Sequence, residues 1–184
     1  MNIILWILIV LGIVVILTFI TYFNKFVILG NRIDNSLAQI DVQLKKRADL
    51  VPNLIETIKG YVKHESAMID KVTEARKALL SAKDITSRVK AGDQLQGALK
   101  SIFALAENYP NLKANENFLQ LQQELSAIED KIAYSRQFYN DSILDYNNST
   151  QVFPGNIFAG MFRKTKKEFL QIKSTEKAVP LIKF

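Results

Sequence analysis

Cysteine is absent from this 184-residue chain, and histidine occurs once, as His64. Without cysteine the chain has no disulfide, no thiolate nucleophile and no cysteine-based metal site. One histidine cannot complete a zinc shell, and it cannot pair with Glu65 in a helix, because adjacent helical side chains point about 100° apart. Glycine-rich phosphate loops, Gly-x-Ser-x-Gly and His-Glu-x-x-His motifs are also absent. We therefore expect no catalytic residue, no metal and no cofactor.

Glycine and proline are scarce as well, with seven and four residues. The prolines stand at Pro52, Pro110, Pro154 and Pro180. The long stretches between them are free to form helices, because the two strongest helix breakers are missing there. The composition predicts an all-α protein.

A long apolar run, Ile3 to Phe23, dominates the start of the chain and contains no charged residue. As a helix it covers about 30 Å, the thickness of a hydrocarbon core. A cleaved signal peptide is disfavoured because Thr18-Phe19-Ile20-Thr21 is too bulky for a cleavage site. A buried core helix is disfavoured because it would show a polar stripe. We predict a transmembrane anchor at 1–25, a helical bundle at 26–151 and an amphipathic basic tail at 152–184.

Apolar residues recur every three or four positions beyond the anchor, which predicts helices that pack on one another. The first helix continues out of the membrane until a turn or kink at 45–52, because Pro52 disfavours helical geometry before it. A second helix is predicted from about Leu50 to Ala82, and a third from a cap at Asp84 or Thr86 to Asn108. A fourth is predicted from Asn115 to about Thr150. These helices predict an up-down bundle of about four long helices.

The tail carries +5 of the net charge of +6. It begins with a short apolar segment and continues with a cationic cluster, which is typical of a segment lying on a membrane surface. The predicted membrane-surface residues are Phe153, Ile157, Phe158, Met161, Phe162, Arg163, Lys164, Lys166 and Lys167. The partners expected here are the lipid bilayer and its anionic lipids, and not nucleic acid, because the chain is tied to a membrane. The alternative is that the apolar residues cap the core of the bundle.

Polar residues crowd around Pro52. Four of them, Lys46, Arg47, Asp49 and Asn53, are predicted to mediate self-association into a homo-oligomer, because charged and polar pairs specify partners. The alternative reading is helix capping and hydrogen bonding between helices of one chain. A second polar set lies near the end of the predicted fourth helix and comprises Asn140, Asp141, Asp145, Tyr146 and Asn147.

Two blocks of sequence resemble the signature blocks of the LemA family of bacterial membrane proteins. They are IDVQLKKRADLVPNLIETIKGYVKHE, residues 40–65, and YNDSILDYNNSTQVFPGNIFAGMF, residues 139–162. The resemblance extends to the anchor and to the basic C-terminus. It implies a helical bundle with one anchor, and it implies no activity. Some members of the family are associated with shaping the membranes of magnetosomes.

Together these features predict a non-enzymatic single-pass membrane scaffold that self-associates and organises or shapes the membrane. The alternatives are a tethered adaptor or sensor for a soluble partner, and a metal-dependent enzyme with its site in the bundle. The positive-inside rule gives the orientation. Lys25, Arg32 and the basic residues at 45–47 follow the span, so we expect the N-terminus outside the cell membrane and the bundle in the cytoplasm.

Overall fold

The computed structural model describes residues 3–62 and 65–170. All regular structure in these ranges is helical, which confirms the all-α prediction. The helices are α1 Ile3–Lys59, α2 Ser66–Ser81, α3 Ile85–Ala106, α4 Pro110–Lys113, α5 Glu116–Gln151 and α6 Gly155–Met161. His64 lies outside the described residues.

The first helix, α1, contains the apolar run. Within the described ranges it is the helix that is long and apolar enough to cross a membrane, and its most apolar stretch is unburied. The hydroxyls of Thr18 and Thr21 donate to the carbonyls of Val14 and Leu17 at 2.7 and 2.8 Å. No polar stripe interrupts the exposed apolar surface, so α1 does not have the character of a soluble core helix.

The predicted turn at 45–52 is wrong, because α1 continues through Pro52 to Lys59. A proline inside a helix leaves the carbonyl four residues earlier without its N–H donor, here that of Ala48. The structure supplies another donor, since Arg76 Nε on α2 lies 2.8 Å from Ala48 O. Val51 and Leu54 beside the proline are fully buried, which stabilises the helical conformation.

The first reversal of the chain follows Lys59 instead. Gly60 is the next residue, and the N–H groups of Tyr61 and Val62 both donate to Ile58 O, at 2.9 and 3.1 Å. The second helix is accordingly shorter than predicted, beginning at Ser66 and not near Leu50. Glycine directly after the last helical residue is a common way for a helix to end.

The predicted third and fourth helices are confirmed. Asp84 caps α3, its side chain accepting from Ser87 N at 2.9 Å. Asn115 caps α5 in the same way, accepting from Phe118 N at 3.0 Å. Asp84 and Asn115 are residue types whose short side-chain oxygens satisfy the free N–H groups of a first turn.

The chain forms two compact units. The terminal unit comprises the described residues of Met1–Ser36 and Gln137–Phe184, and the central unit is Leu37–Arg136. This division follows contacts and does not test the compositional one at residues 25 and 151, which stays a prediction.

The central unit buries the apolar stripes of its helices against one another. Its core residues include Ile40, Leu44, Val51, Leu54, Ile58, Val72, Leu79, Leu95, Leu99, Ile102, Leu112, Phe118, Leu125, Ile128 and Ile132. Helices α1 and α3 approach closely where Gly92 faces Leu44, since a Cβ on Gly92 would lie 2.5 Å from Leu44 Cδ2. The periodicity seen in the sequence therefore marks the packed faces.

The terminal unit packs α1 against α5 through apolar and small residues. Phe26, Ile33, Ile143 and Tyr146 are buried there. Three serines are buried among them, and each hydroxyl donates to the carbonyl four residues earlier: Ser36 to Arg32, Ser142 to Phe138 and Ser149 to Asp145. The small side chains let the helices approach without leaving a buried hydroxyl unsatisfied.

Candidate functional site

The short helix α6 packs on α1 where the apolar run ends. Phe158 stacks on Tyr22 with ring centroids 5.0 Å apart, and Phe162 meets Phe19 and Phe23 edge-on at 5.2 and 5.5 Å. Phe26 joins them, 6.2 Å from Phe162. We call these rings the aromatic cluster: Phe19, Tyr22, Phe23, Phe26, Phe158 and Phe162. Edge-on and offset aromatic pairs each add about 0.5–1.5 kcal/mol beyond burial, so the cluster holds α6 firmly on α1.

Gly155 makes this approach sterically feasible. A Cβ there would lie 2.2 Å from Ser149 O and 2.9 Å from Tyr22 Cε1. Only glycine therefore lets the first turn of α6 sit between the end of α5 and the ring of Tyr22. The preceding Phe153–Pro154 peptide bond is cis.

The predicted membrane-surface residues of α6 divide between two faces. Phe158 and Phe162 point into the aromatic cluster, whereas Ile157 and Met161 are 54 and 61% exposed. Phe153, just before the helix, is 75% exposed. An exposed apolar surface formed by Phe153, Ile157 and Met161 therefore lies beside the end of the apolar span.

The cationic residues follow α6 directly. Arg163, Lys164, Lys166 and Lys167 are all exposed, and Arg163 adopts a positive φ of 51° as the chain leaves the helix. The ammonium of Lys167 lies 5.5 Å from the centre of the Tyr146 ring, a cation–π distance. Among the described residues, Arg163, Lys164 and Lys166 thus have no side-chain partner, whereas Lys167 makes a cation–π contact with Tyr146.

Two asparagines of α5 hold the chain beyond α6 in an extended conformation. Asn147 donates from Nδ2 to Lys167 O at 2.9 Å and accepts from Lys167 N at 2.8 Å. Asn140 makes the same pair of hydrogen bonds with Leu170, at 3.2 and 2.9 Å. We call these four residues the tail clamp.

The register of the tail clamp follows from elementary geometry. Seven residues of helix separate Asn140 from Asn147 and span about 10.5 Å. Three residues of extended chain separate Lys167 from Leu170 and span about 10 Å. The matching distances let both amides present a donor and an acceptor to the backbone, as a neighbouring strand would. Residues 167–170 therefore run antiparallel to α5.

The residues predicted for self-association belong to the central unit and differ in exposure. Lys46, Asp49 and Asn53 are exposed, and Asp49 pairs with Lys45 at 2.5 Å. Arg47 is only 1% exposed. It donates to Gly92 O at 3.2 Å and to the Glu129 carboxylate, so its side chain serves the interior of the unit.

The buried position of Arg47 has an electrostatic cost. Burial lowers the pKa of Arg47 to about 10, an effect that Asp93 opposes and Arg136 reinforces. The guanidinium stays charged at neutral pH, and its Nε is buried without a hydrogen-bond partner. This side chain stabilises the unit through Glu129 and the carbonyl of Gly92 and does not present a surface to another molecule.

Sequence reasoning did not find the tail clamp, the Arg76–Ala48 bond or the burial of Arg47. The asparagines were recognised only as members of a polar set. No local signal identifies their partners, because Lys167 and Leu170 lie 20 and 30 residues away. Within residues 3–62 and 65–170, no three histidine, aspartate or glutamate side chains converge as metal ligands.

The comparison with known proteins identifies the family. The model of the LemA family matches residues 36–184, which include both signature blocks. The chain belongs to the LemA family. This finding confirms the resemblance inferred from residues 40–65 and 139–162.

One relative of this LemA-family chain is Protein LemA of Metamycoplasma hominis, which is 31% identical over 133 residues. The aligned residues cover 70% of this chain and 59% of the relative. The chain thus spans about three fifths of that relative. Magnetosome proteins MamQ 1 and MamQ 2 of Paramagnetospirillum magneticum are each 24% identical over 182 residues, covering 85% of this chain and 67% of the relative. The exposed apolar helix and these relatives characterise the chain as membrane-associated.

Proposed function

We propose that this chain is a non-enzymatic, single-pass membrane scaffold that self-associates and organises or shapes the membrane. Its N-terminus lies outside the cell membrane and its helical bundle in the cytoplasm. Helix α1 is the anchor, and α6 with the following cations is a second contact that lies on the membrane surface and binds anionic lipids. None of the relatives' names denotes a reaction.

The packing of α6 on the end of the apolar span is the observation that carries this proposal. Phe19 and Phe23 lie inside or at the end of the span, and both touch Phe162. If the span crosses a bilayer, α6 lies at the boundary between lipid and water. The exposed side chains of Phe153, Ile157 and Met161 then meet lipid instead of water.

The free energy expected from this membrane contact is appreciable. Full burial of one such side chain contributes about 1.5–3 kcal/mol, so three side chains that are half to three-quarters exposed contribute together about 3–6 kcal/mol. Arg163, Lys164 and Lys166 add about 1 kcal/mol each near an anionic surface. A contact of this strength couples the position of the bundle to the bilayer surface.

Depth-dependent quenching tests the surface contact, and the chain suits it because it lacks cysteine. Ile157→Cys, Met161→Cys and the control Tyr134→Cys are each labelled with an environment-sensitive fluorophore in the full-length protein, reconstituted in liposomes with spin-labelled lipid chains. Tyr134 is 69% exposed in the central unit. Quenching should be strong at 157 and 161 and weak at 134. Equal quenching at all three positions would remove the proposed contact.

Orientation is tested with the same control variant. A membrane-impermeant maleimide should label Tyr134→Cys only after intact cells are permeabilised. Labelling in intact cells would place the bundle on the opposite side.

Self-association is proposed for the exposed residues around Pro52. Co-purification of two differently tagged copies in mild detergent should fall with Lys46→Glu and persist with Lys77→Glu, an exposed lysine on α2. Charge reversal at Arg47 is not a suitable test, because Arg47 is buried and its loss disrupts the unit itself. Wild-type protein that is monomeric both in detergent and in native membranes would contradict self-association.

A further inference from the structure

A pocket lies between α1 and α5 at the end of the apolar span, within the terminal unit. Its volume is about 440 Å³, and Tyr22, Lys25 and Leu29 line it from α1. Asp145, Asn148 and Ser149 line it from α5. We call it the boundary pocket. Val152, directly after α5, completes its lining.

The height of the boundary pocket corresponds to the head-group layer of a bilayer. The apolar run ends at Phe23, and the residues from Tyr22 to Leu29 rise by about 10 Å along the helix. The polar layer on each side of a hydrocarbon core is about 5–8 Å thick. A lipid beside the span therefore has its head group level with this pocket and its chains beside α1.

The pocket carries opposite charges on its two walls. On α1, the exposed ammonium of Lys25 lies 5.7 Å from the centre of the Tyr22 ring. On α5, the carboxylate of Asp145 is about half exposed and pairs with Arg32 of α1 through Oδ2, at 3.2 Å. A cationic ligand group there shares the carboxylate with Arg32 and binds Oδ1. A ligand that fits both walls has an anionic group for Lys25 and a cationic group for Asp145.

The end of α5 strengthens the site for a cation. Asn148 and Ser149 belong to the last turns of α5, where the helix dipole places partial negative charge. The last turn contains no basic residue to offset that charge. A cation on the α5 wall is thus favoured by the carboxylate of Asp145 and by the helix terminus together.

We propose that the boundary pocket binds the phosphoethanolamine head group of a zwitterionic lipid. Lys25 binds the phosphate, and Asp145 with the C-terminal end of α5 accepts hydrogen bonds from the ammonium. A choline head group has no N–H to donate, and a glycerol head group has no cation, so both should bind less well. This inference rests on the proposed membrane anchoring of α1.

The test uses the full-length protein in vesicles of phosphatidylcholine containing equal fractions of phosphatidylethanolamine and phosphatidylglycerol. The lipids that remain bound after mild detergent extraction are counted by native mass spectrometry. Phosphatidylethanolamine should be enriched over phosphatidylcholine relative to their fractions in the vesicle, whereas the cations that follow α6 retain phosphatidylglycerol independently of the pocket. Asp145→Asn and Lys25→Gln should each lower that enrichment about tenfold, the loss of one charge-assisted interaction.

Matched controls are Lys113→Gln and Glu107→Gln, an exposed ion pair of the central unit that lies outside the pocket. They make the same changes of charge and should leave the enrichment unchanged. Circular-dichroism melting shows that each variant is folded. Soluble O-phosphoethanolamine at millimolar concentration should displace bound phosphatidylethanolamine only weakly, because it lacks the acyl chains that lie beside α1. Full displacement of the lipid would identify the free head-group compound, and not the lipid, as the ligand.

The outcomes separate this inference from the proposed function. Protein inserted in the vesicles that retains phosphatidylethanolamine and phosphatidylcholine in the proportions of the vesicle would overturn the head-group site alone. An equal loss of enrichment in the Lys25→Gln and Lys113→Gln variants would also overturn it, by assigning the effect to general surface charge. Protein recovered outside the vesicles would overturn the membrane anchor as well.

Discussion

The helical conformation of Pro52 depends on Arg76, and a double-mutant cycle measures that dependence. Ala48 is fully buried, and its carbonyl, which Pro52 cannot bond, accepts from Arg76 Nε at 2.8 Å. Arg76→Met keeps most of the side-chain volume and removes the donor. A buried carbonyl left unsatisfied costs about 1–3 kcal/mol. For a domain of this size, about 2 kcal/mol corresponds to a fall in Tm of roughly 4–8 °C.

The second mutation, Pro52→Ala, restores a backbone N–H at position 52. That N–H donates to Ala48 O within α1, so Arg76→Met should then cost less than about 1 kcal/mol. The difference between the two backgrounds, the coupling free energy, should be at least about 1 kcal/mol.

Thermal melting of the full-length protein in detergent, followed by circular dichroism at 222 nm, measures both costs. Lys77→Met, the removal of the neighbouring exposed cation on α2, is the control and should change the Tm little in either background. An Arg76→Met cost that is the same in the wild-type and the Pro52→Ala backgrounds would refute the idea that Arg76 compensates for the proline.

Three further predictions follow from the contacts described above. Asn147→Ala should release the tail and speed tryptic cleavage after Lys166 and Lys167. Asn148→Ala, a change at the exposed neighbouring residue, should not speed cleavage. Equal cleavage rates in the two variants would exclude the tail clamp. Gly155→Ala should lower the Tm and displace α6, because the new Cβ meets Ser149 O at 2.2 Å. Gly160→Ala has open space and should be neutral or slightly stabilising, so a loss as large as that of Gly155→Ala would contradict the packing of α6. Arg47→Glu should unfold the central unit, because it buries a carboxylate beside Glu129 and Asp93. The exposed control Lys46→Glu should change the melting temperature of the protein by only a few degrees. Comparable melting curves for the two variants would contradict the burial of Arg47.

The sequence by itself determined the features that depend on neighbouring residues. The apolar run, the all-α fold class and the buried stripes of the helices could be predicted, because composition and a period of 3.6 residues act locally. The cap at Asp84 and the start of the fourth helix at Asn115 could be predicted for the same reason, since a cap bonds N–H groups only two or three residues away. Membership of the LemA family was inferred from two contiguous blocks and confirmed.

Only the tertiary structure decided the rest, because each remaining feature depends on a partner far along the chain. Pro52 predicted a break, and the helix continues because a donor 28 residues from Ala48 replaces the missing bond. The five apolar residues predicted for the membrane surface looked equivalent in sequence. The rings of α1 cover Phe158 and Phe162 and leave Phe153, Ile157 and Met161 exposed. Likewise Lys46 and Arg47 are adjacent basic residues, yet one faces solvent and the other Glu129, since a helix turns about 100° between them.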